Sequence, residues 1–448
     1  MKKTIPNINY VVNHDICIGC GLCEGTCPTQ AITIETKNGC FVPTLELSKC
    51  NNKKGCHKCF DICPGQGVEL NAIAKELYSN IELSESNLSG RYLNCYTGFS
   101  NNYDIRWHSA SGGIVSQFLI WLLEKHYIDG AVVTMFDNSQ PLMVKTFIAT
   151  NKDDILDARS SKYGPVSMHG IVNALKNAQG CRYVVVGLPC HIHGFRKLMS
   201  IDKRLRDKVI GLFAIYCSSG RSFYLTEYVM KERSIKREEL RYFAYRDEGC
   251  LGSMIAITEK GANSSDASTR LSNRNSEQYL LRGEKRVYKE RFQGYYHPLR
   301  SFFVPRRCLF CIDHYGELGD ICFGDIHIKP YSEDKVGVNS LIVRNQYWLS
   351  LLEQCKQEEV ITLEVVPFET ISKSQVMSFK KKGRNGAFIN LGKKLGWVVP
   401  KYDVDYLRQP TIKDAISYMQ YAGQRYLGRH KCMWWFISLL KRDTSKLQ

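Results

Sequence analysis

Acid is scarce in this chain. Forty-four Asp and Glu stand against 61 Lys and Arg, a formal charge of +17. Long apolar runs are missing too: none approaches the ~18 residues that cross a bilayer, so no membrane-spanning helix is expected. The opening Met1-Lys2-Lys3-Thr4-Ile5-Pro6 lacks the apolar core of a secretory signal. No G-x-G-x-x-G run occurs, which argues against a dinucleotide site of the Rossmann type. No recognisable nucleic-acid module occurs either, so the surplus of base does not by itself indicate DNA or RNA. Cysteine, by contrast, is abundant, with 19 in 448 residues. In a small secreted chain that number would mean disulfides. In a long chain without a secretory signal it points to a reducing cytoplasm and to thiols that serve metals. Hydrophobic content of 44% is that of a globular protein, and the length suggests about three domains.

Eight of the cysteines lie between residues 17 and 63. Cys17, Cys20, Cys23 and Cys27 follow C-x2-C-x2-C-x3-C, and Pro28 comes next; Cys50, Cys56, Cys59 and Cys63 end in the same x3-C-P, with Pro64. This is the bacterial ferredoxin run, in which three thiolates of each motif hold one 4Fe–4S cubane and the fourth reaches the other. Cys17, Cys20, Cys23 and Cys63 are therefore assigned to one cluster, and Cys50, Cys56, Cys59 and Cys27 to a second. Zinc knuckles also use four cysteines, but the doubled run closing on x3-C-P favours iron–sulfur. The five residues Asn51 to Gly55, where two are usual, lengthen a loop without removing a ligand.

Residues 1–75 read as a small α+β dicluster ferredoxin domain, with Ala31–Ile34 and Val68–Leu70 able to pair as strands, and the polar stretch 76–95 reads as a linker. From about residue 105, strands alternate with helices, which argues an α/β layer with a mixed, largely parallel sheet and flanking helices. Ile114, Val115, Phe118, Leu119 and Leu122 keep helical spacing after the small-residue turn Ser109-Ala110-Ser111-Gly112-Gly113. Gly130–Phe136, Tyr183–Gly187 and Val209–Tyr216 read as strands. Residues 261–290, rich in Ser, Asn, Lys and Arg, read as an exposed insertion. The last stretch, 346–448, reads as a basic extension: from Lys380 onward there are 15 Lys and Arg against 4 Asp and Glu, +11 of the total +17. Such a tail suits an acidic partner protein or an anionic membrane surface. Within it, residues 431–442 are too short to span a bilayer and read as an interfacial helix or a helix packed on the core.

Two further thiols fall where open α/β sheets collect ligands, at the carboxyl ends of strands. Cys190 follows Tyr183–Gly187 through Leu188-Pro189, and Cys217 ends the next strand. With the local pair Cys308 and Cys311 they make four thiols, enough for a third cluster, although buried free cysteines are also common in cores.

The central stretches resemble the coenzyme F-420 hydrogenase/dehydrogenase beta-subunit family, iron–sulfur flavoproteins that include deazaflavin-reducing subunits and some chlorophyll-pathway reductases. The matching pieces are Ser109-Ala110-Ser111-Gly112-Gly113, Ser160-Ser161-Lys162-Tyr163, Gly187-Leu188-Pro189-Cys190, Cys217, Tyr245-Arg246-Asp247-Glu248-Gly249, and Arg307-Cys308-x2-Cys311 leading to Asp320-Ile321-x2-Gly324-Asp325. They stand in the family's order over about residues 96–345, which divide into an N-terminal-like region, 96–178, and a C-terminal-like region, 179–345. The resemblance implies FAD beside a third 4Fe–4S cluster held by Cys190, Cys217, Cys308 and Cys311. It also places Ser111, Gly112 and Gly113 at a pyrophosphate, where a helix start offers bare N–H groups. Lys162 is expected near the isoalloxazine, and Asp325 and His191 near the flavin, with no catalytic acid assigned. The usual Gly-Thr-Pro-Cys is Gly-Leu-Pro-Cys here, His191 replaces a common glutamine, and Gly249-Cys250-Leu251-Gly252 stands where deazaflavin-using members carry Gly-Trp-Pro-Gly. These departures bear on the substrate more than on the cofactors.

The expectation is thus a flavin- and iron–sulfur-dependent oxidoreductase. A partner such as ferredoxin would exchange electrons with the N-terminal clusters, and FAD would reduce or oxidise a deazaflavin-like molecule or an activated double bond. The alternative is a non-catalytic electron-transfer subunit of a larger redox complex.

Overall fold

In Tyr183–Gly187 and Val209–Ile215 successive side chains leave the strand on opposite faces, and both faces are covered. Val185, Leu212 and Ala214 enter one core while Val184 and Phe213 enter another. Strands buried on both sides need no polar alternation, which is why these stretches are continuously apolar. The computed structural model describes residues 6–441 apart from 80–83, 138–139, 141, 260–284 and 300. Among them, eight strands form one sheet in the order Ile361–Val365, Asn94–Ser100, Asn339–Val343, Ile321–Asp325, Val209–Ile215, Tyr183–Gly187, Gly130–Phe136 and Val144–Ala149. The four strands from Ile321–Asp325 to Gly130–Phe136 are mutually parallel. The outer strands pair antiparallel. The fold is α/β with a mixed sheet, and its parallel part is confined to the centre.

Helices Ile114–Glu124 and Gln346–Gln357 cover one face, through Phe118, Leu122, Trp348 and Leu352. Helices Ile171–Asn177 and Pro189–Ile201 cover the other, through Leu175, Ile192, Phe195 and Leu198. A second sheet, Leu240–Asp247, Ser253–Glu259 and Lys285–Arg291, is antiparallel throughout. It shares a core with helix Tyr224–Glu232.

The N-terminal module is built into this body. Cys20 O accepts the amide of Met168 at 2.8 Å, Glu24 Oε2 accepts that of Gly170 at 2.7 Å, and Gly39 O accepts that of Phe223 at 2.8 Å. Gly21, at φ +75°, abuts Ser167 and His169 so closely that a Cβ would lie 2.2 Å from Ser167 Oγ.

The two apolar stretches of the module do not pair with each other. Ile32–Lys37 forms a hairpin with Cys40–Leu45, whereas Gly67–Val68 runs parallel to Lys401–Tyr402. The intervening Asn38-Gly39, both at positive φ, closes a tight turn that makes the local partner available first. Part of the stretch read as a linker is also structured: Ser84–Ser86 pairs with Gly90–Tyr92, while residues 80–83 lie outside the described residues. The polar stretch 261–290 lies outside them as far as residue 284, and from Lys285 it is a strand. The region past residue 345 opens with helix Gln346–Gln357, packed on the main sheet, and that sheet's edge strand Ile361–Val365. In residues 431–442, Trp434 and Ile437 of helix Trp434–Leu440 are buried against the second sheet's core, and Trp435, Leu439 and Leu440 are exposed. Among the described residues no helix is long and apolar enough to cross a membrane.

Candidate redox site

The first motif closes tightly because Gly19 and Gly21 both adopt positive φ, and the short helix Leu22–Thr26 then carries Cys23 inward. Cys17, Cys20, Cys23 and Cys63 line one hollow together with Ile8, Ile18, Pro43 and Ile62. Its walls are otherwise apolar, and burial there pushes the Cys20 thiol up to about 12, with Cys63 adding to the effect. Burial also pushes up Cys17 and Cys23, each repelled in addition by its neighbours. Burial followed by the charges of Cys27, Cys56 and Cys50 pushes Cys59 up to about 11, which groups these four around a second point. The five residues between Cys50 and Cys56 are taken up by a 3₁₀ turn, Asn51–Lys54. Gly55 ends it at φ +89°, and Asn52 Nδ2 donates to Cys56 O at 3.0 Å. The two sets adjoin, since Cys59 acts on Cys23.

Cys190 is the second residue of helix Pro189–Ile201, where backbone N–H groups favour negative charge. Cys217 leaves the neighbouring parallel strand, its amide held by His314 O at 2.9 Å. Cys308 lies in the 3₁₀ turn Arg306–Phe310 and Cys311 caps it. The four thiols come together: burial raises Cys190 well above its ordinary range, with Cys217, Cys308, Cys311 and then Cys20 adding to it. Cys20 thus links this set to the first one. A thiol that the motifs did not single out, Cys40, is pushed up to about 12 by burial, then by Cys308. Among the described residues no three His, Cys, Asp or Glu side chains converge on a point that would hold a single ion.

Two buried cations hold the third set, one tying it to the turn after Cys63 and one within it. Arg307 donates to Gly65 O at 2.9 Å, Pro64 O at 2.8 Å and Tyr402 Oη at 3.0 Å, so the residue before Cys308 grips the turn after Cys63. Lys381 donates to Cys217 O at 2.8 Å, Asp313 O at 2.5 Å and Cys311 Sγ at 3.3 Å. Asn385 Nδ2, one turn on, donates to Cys311 O at 2.8 Å and Cys308 O at 3.2 Å. Neither Lys381 nor Asn385 was legible as a site residue. Lys380-Lys381-Lys382 reads as a solvated charge run, and nothing local ties it to a cysteine pair some 70 residues away.

The pieces expected at a flavin meet around Arg246. Its Nη1 donates to Asp325 Oδ2 at 2.7 Å, its Nη2 to Ala110 O and its Nε to Leu251 O at 2.7 Å, while its own carbonyl accepts from Ser160 Oγ. Although burial opposes the charge, Arg246 and His327 hold the Asp325 carboxyl well below the usual carboxylate range. Gly113, at φ +75°, caps helix Ile114–Glu124, and Ile114 N donates to Asn339 Oδ1 at 3.1 Å. Gly112 packs so closely on Gly98 O and Asn339 N that a Cβ would lie 2.7 and 2.8 Å from them. Ser111 Oγ donates to Val338 O at 2.7 Å.

Lys162 is anchored by carbonyls of the segment that leads to Ser160. Its amine donates to Ala158 O at 2.5 Å, Arg159 O at 2.7 Å and Ser160 O at 3.2 Å, and burial brings it down to about 7. His191 is a helix cap: Nδ1 accepts from Leu188 N at 3.2 Å and Nε2 donates to Val166 O at 3.2 Å, a neutral tautomer that burial favours by lowering the ring to about 4. Between Arg246 and Cys217 lie stacked rings. Tyr163 stacks on Phe292 and Phe292 on Tyr296, and Arg221 stands over Tyr296 at 5.0 Å. Arg221 Nε is buried with no hydrogen-bond partner.

Comparison with known proteins assigns these halves. Residues 95–173 and 180–367 match the N-terminal and C-terminal parts of the coenzyme F420 hydrogenase/dehydrogenase beta subunit, and residues 10–33 match a 4Fe-4S binding domain. The chain is 22% identical over 392 residues to the coenzyme F420-dependent sulfite reductase of Methanocaldococcus jannaschii, covering 84% of this chain and 51% of that one. It is 30% identical over 220 residues to an F(420)H(2) dehydrogenase component of Methanosarcina mazei, covering 47% of this chain and 56% of that one. The chain therefore spans about half the length of these curated relatives. A chain of the F420-reducing [NiFe] hydrogenase complex from Methanosarcina barkeri has the same fold, with a TM-score of 0.52 at 18% identity, covering 73% of this chain and 99% of that one. With both parts of the beta subunit matched in order, the chain belongs to the coenzyme F420 hydrogenase/dehydrogenase beta-subunit family, and carries a 4Fe-4S binding domain ahead of them.

Proposed function

We propose that this chain is an iron–sulfur flavoprotein oxidoreductase that passes electrons between a partner protein such as a ferredoxin and an organic acceptor. One observation carries the reading: three sets of four thiols follow one another, from Cys27, Cys50, Cys56 and Cys59, through Cys17, Cys20, Cys23 and Cys63, to Cys190, Cys217, Cys308 and Cys311. Each set has the donor chemistry of a 4Fe–4S site, and the hollow at the middle set is walled by apolar residues that exclude water. Bound clusters supply single-electron transfer, and FAD exchanges single electrons for hydride pairs.

The last set abuts the ring stack Tyr163, Phe292 and Tyr296. Tyr296 lies beside both Arg221 and Cys217. Stacked aromatics and the unpartnered Arg221 Nε suit a flat anionic cofactor placed between the thiols and the Arg246 junction. In that arrangement Ser111, Gly112 and Gly113 hold the phosphate end, Arg246 fixes Asp325, and Lys162 shapes the Ser160 loop. The acceptor is a deazaflavin-like molecule or an activated double bond, on the side lined by Gly249 to Gly252.

Anaerobic purification with iron and flavin analysis tests this. About twelve irons, four per cubane, and about one FAD per chain are expected. Eight irons would remove the third cluster from the proposal. A second reading, a non-catalytic electron-transfer subunit, draws on Gly112, whose bare face is already filled by Gly98 and Asn339. Twelve irons with no flavin would select it.

A further inference from the structure

Beyond residue 367 the chain has left the part matched to the beta-subunit family, yet it returns to the third thiol set. The return is made by Lys381–Asn385, a π-helical turn set between helices Val376–Lys380 and Gly386–Lys394. A π-turn widens the helix and re-aims the side chains on it, and such turns gather at functional sites. This one aims two groups at the same target. Lys381 is 1% exposed, and its amine reaches Cys311 Sγ, Cys217 O and Asp313 O. Asn385 holds the carbonyls of Cys308 and Cys311. The nearby carboxylate of Asp313 does not bond this amine. Its Oδ2 is taken by His193 Nε2 at 2.8 Å and Glu317 N at 2.9 Å, and its Oδ1 by Gly316 N at 2.7 Å. The neighbouring lysine, Lys382, is satisfied separately by Glu317 and Tyr406. The positive charge of Lys381 is thus buried against thiol sulfur and carbonyl oxygen.

We infer that Lys381, supplied by the region outside the matched family domains, is a positioning residue that raises the reduction potential of the cluster on Cys190, Cys217, Cys308 and Cys311, making it the preferred resting place for an electron arriving from the N-terminal sets. The inference rests on the proposed third cluster. Adding one electron to a four-thiolate cubane makes it more negative by one charge. A fixed cation in a water-poor site favours the reduced form, and a hydrogen bond to a ligating sulfur acts in the same direction. Among the described residues no side-chain cation donates to a sulfur of the N-terminal sets, whose sulfurs accept from the backbone amides of Gly19 and Ala31.

The test is redox titration of the full anaerobic protein followed by electron paramagnetic resonance, with iron counted in every sample, for the parent chain and for Lys381→Met, Lys381→Gln and Lys381→Arg. In the neutral variants the reduced-to-oxidised ratio of the third cluster at a fixed potential is expected to fall about tenfold, which is about 59 mV for a one-electron couple. The Arg variant is expected to restore it to within about threefold, and the two N-terminal clusters should not move. An unmoved third midpoint in a fully loaded neutral variant overturns the inference. So does an equal fall in the neutral and Arg variants, or a common shift of all three clusters. If the neutral variants lose about four irons while the Arg variant keeps them, the charge holds the cluster in place and does not tune it, and the inference falls; if all three lose them, Lys381 is a packing residue and it falls as well. A parent chain with only about eight irons removes the third cluster itself, a failure distinct from an unmoved midpoint.

Discussion

Arg307 and Asp157 show how differently two charges are used at the scale of a residue. Arg307 is 3% exposed and satisfies the carbonyls of Pro64 and Gly65. Arg307→Leu leaves Gly65 O buried without a donor, at about 1–3 kcal/mol, and leaves Pro64 O with the amide of Gly67 alone, at 3.3 Å. The expected outcome is a loss of about 3 kcal/mol in urea unfolding. Asp157 ends helix Lys152–Asp157, where a negative charge opposes the helix dipole. Burial, then Asp154 and Asp153, raises its carboxyl to about 6. With the folded value above the unfolded one, the folded chain binds more protons between about 3.8 and 6, so this residue's cost grows as pH rises through that window. Asp157→Asn should therefore stabilise the chain at pH 7, by about 1 kcal/mol after allowing for its partial exposure, and leave it unchanged near pH 3.5. Thermal unfolding at the two pH values checks the sign. Neither effect is visible in sequence: Arg307 stands in a recognisable motif, but its partners come from residues 64, 65 and 402.

Among elements, the short parallel pair Gly67–Val68 and Lys401–Tyr402 ties the N-terminal module to the C-terminal region. Gly67 has φ +131°, and a Cβ there would lie 2.0 Å from Lys401 O. Gly67→Ala is expected to cost about 3 kcal/mol, from strain together with overpacking, and to expose residues near 401 to protease. Limited proteolysis followed by mass spectrometry reads that outcome; a variant as resistant as the parent would show the pairing to be dispensable. The basic tail is revised at the same scale. Lys381, Lys382, Arg384, Arg408 and Arg425 all serve internal contacts, with thiol sulfur, Glu317, Tyr421, Asp414 and Asp15 respectively. Formal charge counted along the chain therefore overstates the free basic surface. A residue count cannot distinguish a solvated lysine from one folded inward.

Across the whole molecule, the order of the three thiol sets predicts how the protein comes apart. Cys190→Ser should lower the iron content by about four while the two N-terminal clusters keep their signals, because all eight N-terminal cysteines are left in place. It should also stop electrons given to the N-terminal clusters from reaching flavin in stopped-flow reduction. Unchanged iron would rule out this ligand. The arrangement of the three thiol sets is held by docking of the N-terminal module on residues 166–172, by the Arg307 grip and by the return of the chain at Lys381. A flexible tether between ferredoxin module and body would give none of these contacts.

What the sequence determined by itself was local. The spacing Cys17-x2-Cys20-x2-Cys23-x3-Cys27-Pro28 closes a loop through its own glycines, and the apolar runs at 183–187 and 209–215 form strands buried on both faces because nothing polar interrupts them. The strand-end positions of Cys190 and Cys217 were also legible, since adjacent parallel strands bring their carboxyl ends to one edge. Only the tertiary structure decided that Cys20 adjoins Cys190, that Lys381 and Asn385 close the third set, and that Lys162 is anchored by carbonyls. It also paired Gly67–Val68 with residues 401–402 in place of the nearer strand. Each of these joins parts of the chain through packing and desolvation, which depend on what lies across the contact and leave no periodicity or spacing along the chain to read.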